Sequence, residues 1–168
     1  MAIYSKIILF TLTGLFISYS SAQTNISWKE HIIDDSSVGP PDLAGSDGLV
    51  MADLDKDGHL DIVSVHELDT EYGVPEGYVR IAWGSQDPLE WTSTTLASGS
   101  EAPSAEDVDV ADADGDGWLD IVVACELAHL IYFQNPGKNH RSVRWERTVP
   151  KSTLNRGSFI RVFFSDLD

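Results

Sequence analysis

The chain has 168 residues, with 11 Lys and Arg against 27 Asp and Glu and a formal net charge of −16. That length suits one ordinary domain, and so acidic a surface excludes nucleic acid as a partner, because such binding draws most of its strength from cationic side chains. Cys125 is the only cysteine, so no intrachain disulfide can form and the fold must hold itself together by other means.

In chain order, the first stretch does not belong to the fold. Lys6 is the only cationic side chain ahead of the apolar run 7–17, and the small residues Ser20, Ser21 and Ala22 follow it. This is the layout of a signal peptide cut after Ala22. A membrane anchor needs about 20 apolar residues, whereas this run is shorter and broken by Thr11, Thr13 and Gly14. Residues 1–22 are therefore expected to be removed. The mature part, 23–168, is expected to be secreted, or periplasmic in a bacterium, and not membrane-spanning. No cysteine stands at the cut, which argues against a lipoprotein. Asn25-Ile26-Ser27 is a glycosylation acceptor if the host is eukaryotic.

A repeat organises the rest, and it precedes any reading of secondary structure. Residues 46–63 and 105–122 align at a spacing of 59 positions, with Ala, four Asp, Gly, Leu and Ile coincident; Glu67 and Glu126 match further on. A second marker keeps a similar rhythm. Trp28, Trp91 and Trp145 each stand ahead of a strand-like segment, 25, 21 and 21 residues before Asp53, Asp112 and Asp166. Their recurrence marks them as packing residues. A third loop is thus due at Asp166, and the chain ends Asp166-Leu167-Asp168, two ligand positions into it. This reads as a fragment of a longer chain, the alternative being that several copies assemble a ring.

Every signal inside the unit is of strand type. The segments 60–65 and 119–125 are rich in β-branched residues, 78–83 alternates, and 130–133 is a short apolar run. Gly84-Ser85, Gly99-Ser100 and Asn135-Pro136-Gly137 supply turns between them. Short strands in units of about 54 to 63 residues predict an all-β chain of β-propeller blades. About two repeats are complete, and the start of a third follows.

The loops carry the chemistry. Calcium takes six to eight oxygen ligands from carboxylates and carbonyls in flexible geometry. Carboxylates at alternate positions of a tight loop can converge on one point, which is what Asp53, Asp55, Asp57 and Asp61 offer, with the His59 carbonyl between them. Asp112, Asp114, Asp116 and Asp120 repeat the pattern with the Trp118 carbonyl, and Asp166 and Asp168 begin it again. Gly58 and Gly117 stand where a positive φ is needed. An EF-hand opens in the same way but requires Glu at position 12 and a following helix. Here position 12 is Ser64 or Val123, inside a β-branched run, so each loop closes on Asp at position 9 and feeds a strand.

The pattern Ala-Asp-x-Asp-x-Asp-Gly-x-Leu-Asp-Ile-Val at 52–63, recurring at 111–122, resembles the FG-GAP/VCBS repeats of integrin α-subunit-like propellers. The resemblance implies a propeller, typically seven-bladed, in which each calcium loop joins neighbouring strands of one blade and the eight aspartates are its ligands. The Phe-Gly and Gly-Ala-Pro half of the integrin-type signature has no good match, so the likeness is nearer to secreted VCBS-type proteins and implies no integrin ligand.

A saturated all-protein calcium site leaves no open position for Lewis-acid chemistry. At ~1 mM calcium and a Kd of ~0.1 mM, each site would contribute roughly 1.4 kcal/mol. His31, His59, His66, His129 and His140 show no triad or metal spacing, and hydrolase and nucleotide-binding motifs are not found. His31 and His129 are expected in packing roles. Cys125 reads as a buried small residue, and Glu67 and Glu126 read as structural because they recur. Trp83, Trp118, Tyr72 and Tyr78 do not all recur and are the glycan-contact candidates, Tyr72 within the 68–77 insertion. Two classes of function remain: a calcium-stabilised extracellular module that binds protein or glycan, or the propeller part of a secreted polysaccharide lyase or hydrolase.

Overall fold

The computed structural model describes residues 27–40, 43–68, 76–154 and 156–167. The signal segment, Asn25, Tyr72 and Asp168 lie outside the described residues. The chain divides into a unit 1–30 and a unit 31–168. Of the first, residues 27–30 are described and form no regular structure. Among the described residues no helix is long and apolar enough to cross a membrane.

The second unit holds two four-stranded antiparallel sheets, each a simple meander. The first contains β1 (Gly48–Ala52), β2 (Asp61–Glu67), β3 (Gly77–Trp83) and β4 (Thr92–Gly99). The second contains β5 (Ala105–Ala111), β6 (Asp120–Cys125), β7 (Leu130–Gln134) and β8 (Glu146–Thr148). All four strands expected from β-branching and alternation form. Gly84-Ser85 and Asn135-Pro136-Gly137 fall between strands, Gly99-Ser100 straddles the end of β4, and the aspartate loops connect β1 to β2 and β5 to β6. This is the blade architecture, all-β and repeated. One expectation fails locally, because residues 27–32, with His31, form no strand.

Alternation explains which residues meet. On β2, Val63 and Val65 turn into a core built jointly by both sheets, with Val79, Ile81 and Trp83 from β3. The second sheet contributes Ile121, Val123, Cys125, Ile131 and Phe133, and β1 and β2 lie against β5. Blade therefore packs on blade with a continuous apolar seam. Gly48 belongs to the closest approach. A Cβ there would stand 2.7 Å from the Asp107 Cα and 2.9 Å from the Glu106 carbonyl oxygen.

The recurring tryptophans do not share one role. Trp145 is buried in the seam, with its indole N–H donated to the His140 carbonyl at 2.9 Å. Trp91 is half-buried and donates to the Pro88 carbonyl, while Trp28 is 88% exposed. Recurrence marked the chain position before β4 and β8, and of these two tryptophans Trp145 enters the seam.

The opposite face of β2 and β3 is sealed by residues 34–40 and 43–47. Arg80 donates from Nε and Nη2 to the Asp34 carboxylate, at 2.5 and 2.9 Å, and from Nη1 to the Thr95 hydroxyl. Both members of the pair are buried. His66 places Nδ1 at 3.0 and 2.8 Å from the carbonyls of Ala44 and Gly45, which makes that nitrogen the N–H donor and leaves Nε2 to accept from Ser64 Oγ at 3.0 Å. Leu43, Leu68 and Tyr78 form a small separate apolar cluster beneath this segment.

Candidate metal centre

Each loop is shaped by its own carboxylates before any ion is considered. In the first, Asp53 accepts the backbone N–H groups of Asp57 and Gly58, both at 3.1 Å. Asp55 also accepts from Asp57, and Asp57 accepts from His59 at 2.8 Å. In the second loop Asp112 accepts from Gly117, Asp114 from Asp116 and Asp116 from Trp118. These short-range bonds are the habit of Asp in turns. Gly58 and Gly117 bend the chain at φ +90° and +91°, as their place in the pattern requires.

The ninth position of each loop does something different. Asp61 is fully buried; Oδ2 accepts the Leu54 N–H at 2.9 Å and Oδ1 accepts the Gly84 N–H at 2.9 Å. Asp120, equally buried, accepts from Ala113 and from Asn135, and from the Tyr132 hydroxyl at 2.7 Å. This carboxylate staples the loop to the end of the third strand of its blade. Burial pushes the Asp61 carboxyl up to about 6; the bonds from Leu54 and Gly84 oppose this, while Asp55 and Asp57 add to it. Burial, with the bond to Asp120, also raises the Tyr132 phenol.

The structure brings Asp53, Asp55 and Asp61 together in the first loop, one oxygen from each lying within 4.8 Å of the others. In the second loop Asp112, Asp114 and Asp116 converge in the same way. Asp57 stands outside the first group and Asp120 outside the second, held by the backbone bonds just described. Asp166 lies on the extended segment 156–167, exposed. That segment runs beside β5, where Val162 and Phe164 donate their N–H groups to Asp107 and Asp109 at 3.0 and 2.8 Å.

Sequence reasoning missed Glu106. It occupies the irregularity between Ala105 and Asp107 in the β5–β6 ladder, so that its carboxylate joins Glu67 and Glu126 within 4.8 Å. Burial and the charges of Asp47, Glu67 and Glu126 raise its pKa. The recurrence of Glu67 and Glu126 was visible; the third member required a bulge that no spacing announces.

The aromatic candidates are largely committed to packing. Trp83 is 2% exposed and bonded to the Thr94 hydroxyl, and Tyr78 is buried. Trp118 is half-buried beneath the Lys56 ammonium, 4.5 Å from its ring. Burial pushes the Cys125 thiol up to about 12, with the Arg147 charge opposing, so the thiol is inert.

Residues 68–123, from the end of β2 into β6, match the sequence model of the FG-GAP-like repeat. No curated protein and no solved structure matches the chain. Residues 68–123 thus carry an FG-GAP-like repeat, within a chain of two like blades that each hold an aspartate loop between their first two strands.

Proposed function

We propose that the protein is a secreted, VCBS-type propeller module whose loops hold structural calcium and whose blades serve binding to an extracellular protein or polysaccharide. The carrying observation is that carboxylates of the two loops converge at equivalent strand junctions. The donors are hard oxygens, which suits calcium over softer metals. Asp53, Asp55, Asp57 and Asp61, with the His59 carbonyl, would hold one ion. Asp112, Asp114, Asp116 and Asp120, with the Trp118 carbonyl, would hold a second, and Asp166 and Asp168 would begin a third site. A bound ion would neutralise carboxylates that otherwise repel one another. The chain's own residues already supply the turn, through the N–H bonds to Asp53 and Asp112, and the anchor, through Asp61 and Asp120. The two blades would form part of a ring of about seven.

Chelation is expected to lower the melting temperature by several degrees, at roughly 1.4 kcal/mol per site, and magnesium is not expected to restore it. An unchanged melting curve in excess chelator would sink the reading. Calorimetric titration is expected to lose one equivalent of calcium in Asp57→Ala and one in Asp116→Ala; full stoichiometry in either variant would reassign the ligands.

A further inference from the structure

The two loops share their carboxylates but not their surroundings. In the first, Arg141 donates from Nη2 to Asp55 Oδ2, and the same nitrogen stands 3.9 Å from Asp57 Oδ2. His140 Nε2 lies 3.6 Å from Asp55 Oδ2, and the Asp55 side chain is 5% exposed. The guanidinium also rests 4.8 Å over the Trp83 ring, and the His140 ring packs between Trp83 and Trp118 at 5.3 and 6.0 Å. Both residues belong to the β7–β8 connection of the second blade. The seam between the blades thus delivers a fixed positive charge to the first loop. In the second loop the matching partner is neutral: Gln134 Nε2 donates to Asp114 Oδ2 at 2.5 Å. Among the described residues no cationic side chain forms an ion pair with Asp112, Asp114 or Asp116. The Lys56 ammonium, carried by the first loop, sits over Trp118 and against Gly117 of the second loop, where it forms no ion pair with a carboxylate of either loop.

We propose that Arg141 is a built-in counter-ion of the first loop, so that the loops are unequal calcium sites and the second fills at lower calcium than the first. The inference rests on the calcium reading above. Arg141 occupies an oxygen of Asp55 that a cation would use, and its permanent charge repels a divalent ion a few ångströms away. In a partly screened setting that repulsion corresponds to about a tenfold loss of affinity. Gln134 withdraws one acceptor lone pair and adds no charge. Arg141 is half-exposed and outside the core, so its replacement is expected to leave the fold in place.

The test is calorimetric titration of the whole chain with calcium, using Asp116→Ala to leave the first loop and Asp57→Ala to leave the second. The intact first loop is expected to bind more weakly than the second. Arg141→Gln is expected to tighten the first loop about tenfold and leave the second unmoved, while Arg141→Lys, which keeps the charge, stays near the parent value. A first loop that is unchanged or weaker in Arg141→Gln overturns the proposal, since a merely structural arginine would weaken the site on removal. Equal affinities in the parent overturn it too. If neither loop takes up calcium in any variant, the calcium reading itself falls, and the proposal with it; two bound equivalents that ignore Arg141→Gln remove the proposal alone.

Discussion

Ser64 pairs with Arg80 across β2 and β3, and Val123 pairs with Ile131 across β6 and β7. These are equivalent positions on equivalent faces of two repeats, yet one pair is polar and the other apolar. The difference follows from what each face meets. Val123 and Ile131 enter the seam against another blade, where side chains meet side chains and only apolar contact is needed. Ser64, His66 and Arg80 meet irregular chain, which brings free carbonyls and a carboxylate with it. Buried backbone oxygens and charges need donors, so His66 serves the Ala44 and Gly45 carbonyls and Arg80 serves Asp34. A repeat therefore keeps its strands while its faces adapt to their neighbour.

Substitutions at three places would break or sharpen this contrast. The largest effect is expected in the apolar face: Phe133→Ala, in the seam, should cost about 3–5 kcal/mol through lost burial and a cavity, read as a shift of the urea midpoint. Next is the polar face. Arg80→Ala strands the buried Asp34 carboxylate and should cost about 3 kcal/mol. Combining Asp34→Ala with Arg80→Met should recover most of that loss, because no charge is then left unpaired. If the double variant is no more stable than Arg80→Ala, the pair does not seal this face.

The smallest effect concerns Glu106, where the blades approach each other. Its folded pKa lies above its value in the unfolded chain, so the folded state binds the proton more tightly. Its contribution to stability is full below the unfolded value of 4.5 and is lost as pH rises through the raised pKa. Glu106→Gln should therefore raise the melting temperature slightly at neutral pH and flatten its decline from acidic to neutral pH. An unaltered pH profile would show that the Glu106 carboxyl is not raised above its ordinary range.

Much of the architecture was legible because it is written locally. β-branching and period-2 alternation located β2, β3, β6 and β7, and Asp at alternate positions with Gly at the sixth located both loops. The tryptophan marker located the starts of β4 and β8 but not the burial of its own residues, since burial depends on whether a blade stands opposite. The same limit explains Glu106, Arg141 and Gln134. Arg141 lies 86 positions from Asp55 in the chain, and nothing in the spacing of either relates them.

The sequence alone established the duplication, the strands and the aspartate loops, because each rests on contacts between residues near in the chain or on a pattern that recurs. Only the tertiary structure decided that Asp61 and Asp120 serve first as staples to the third strand, that one loop carries an arginine and the other an amide, and that the outer face of the first blade is polar. Those are contacts between distant segments, and side-chain burial there is set by the neighbour that packing brings, not by the residue's own place in the repeat.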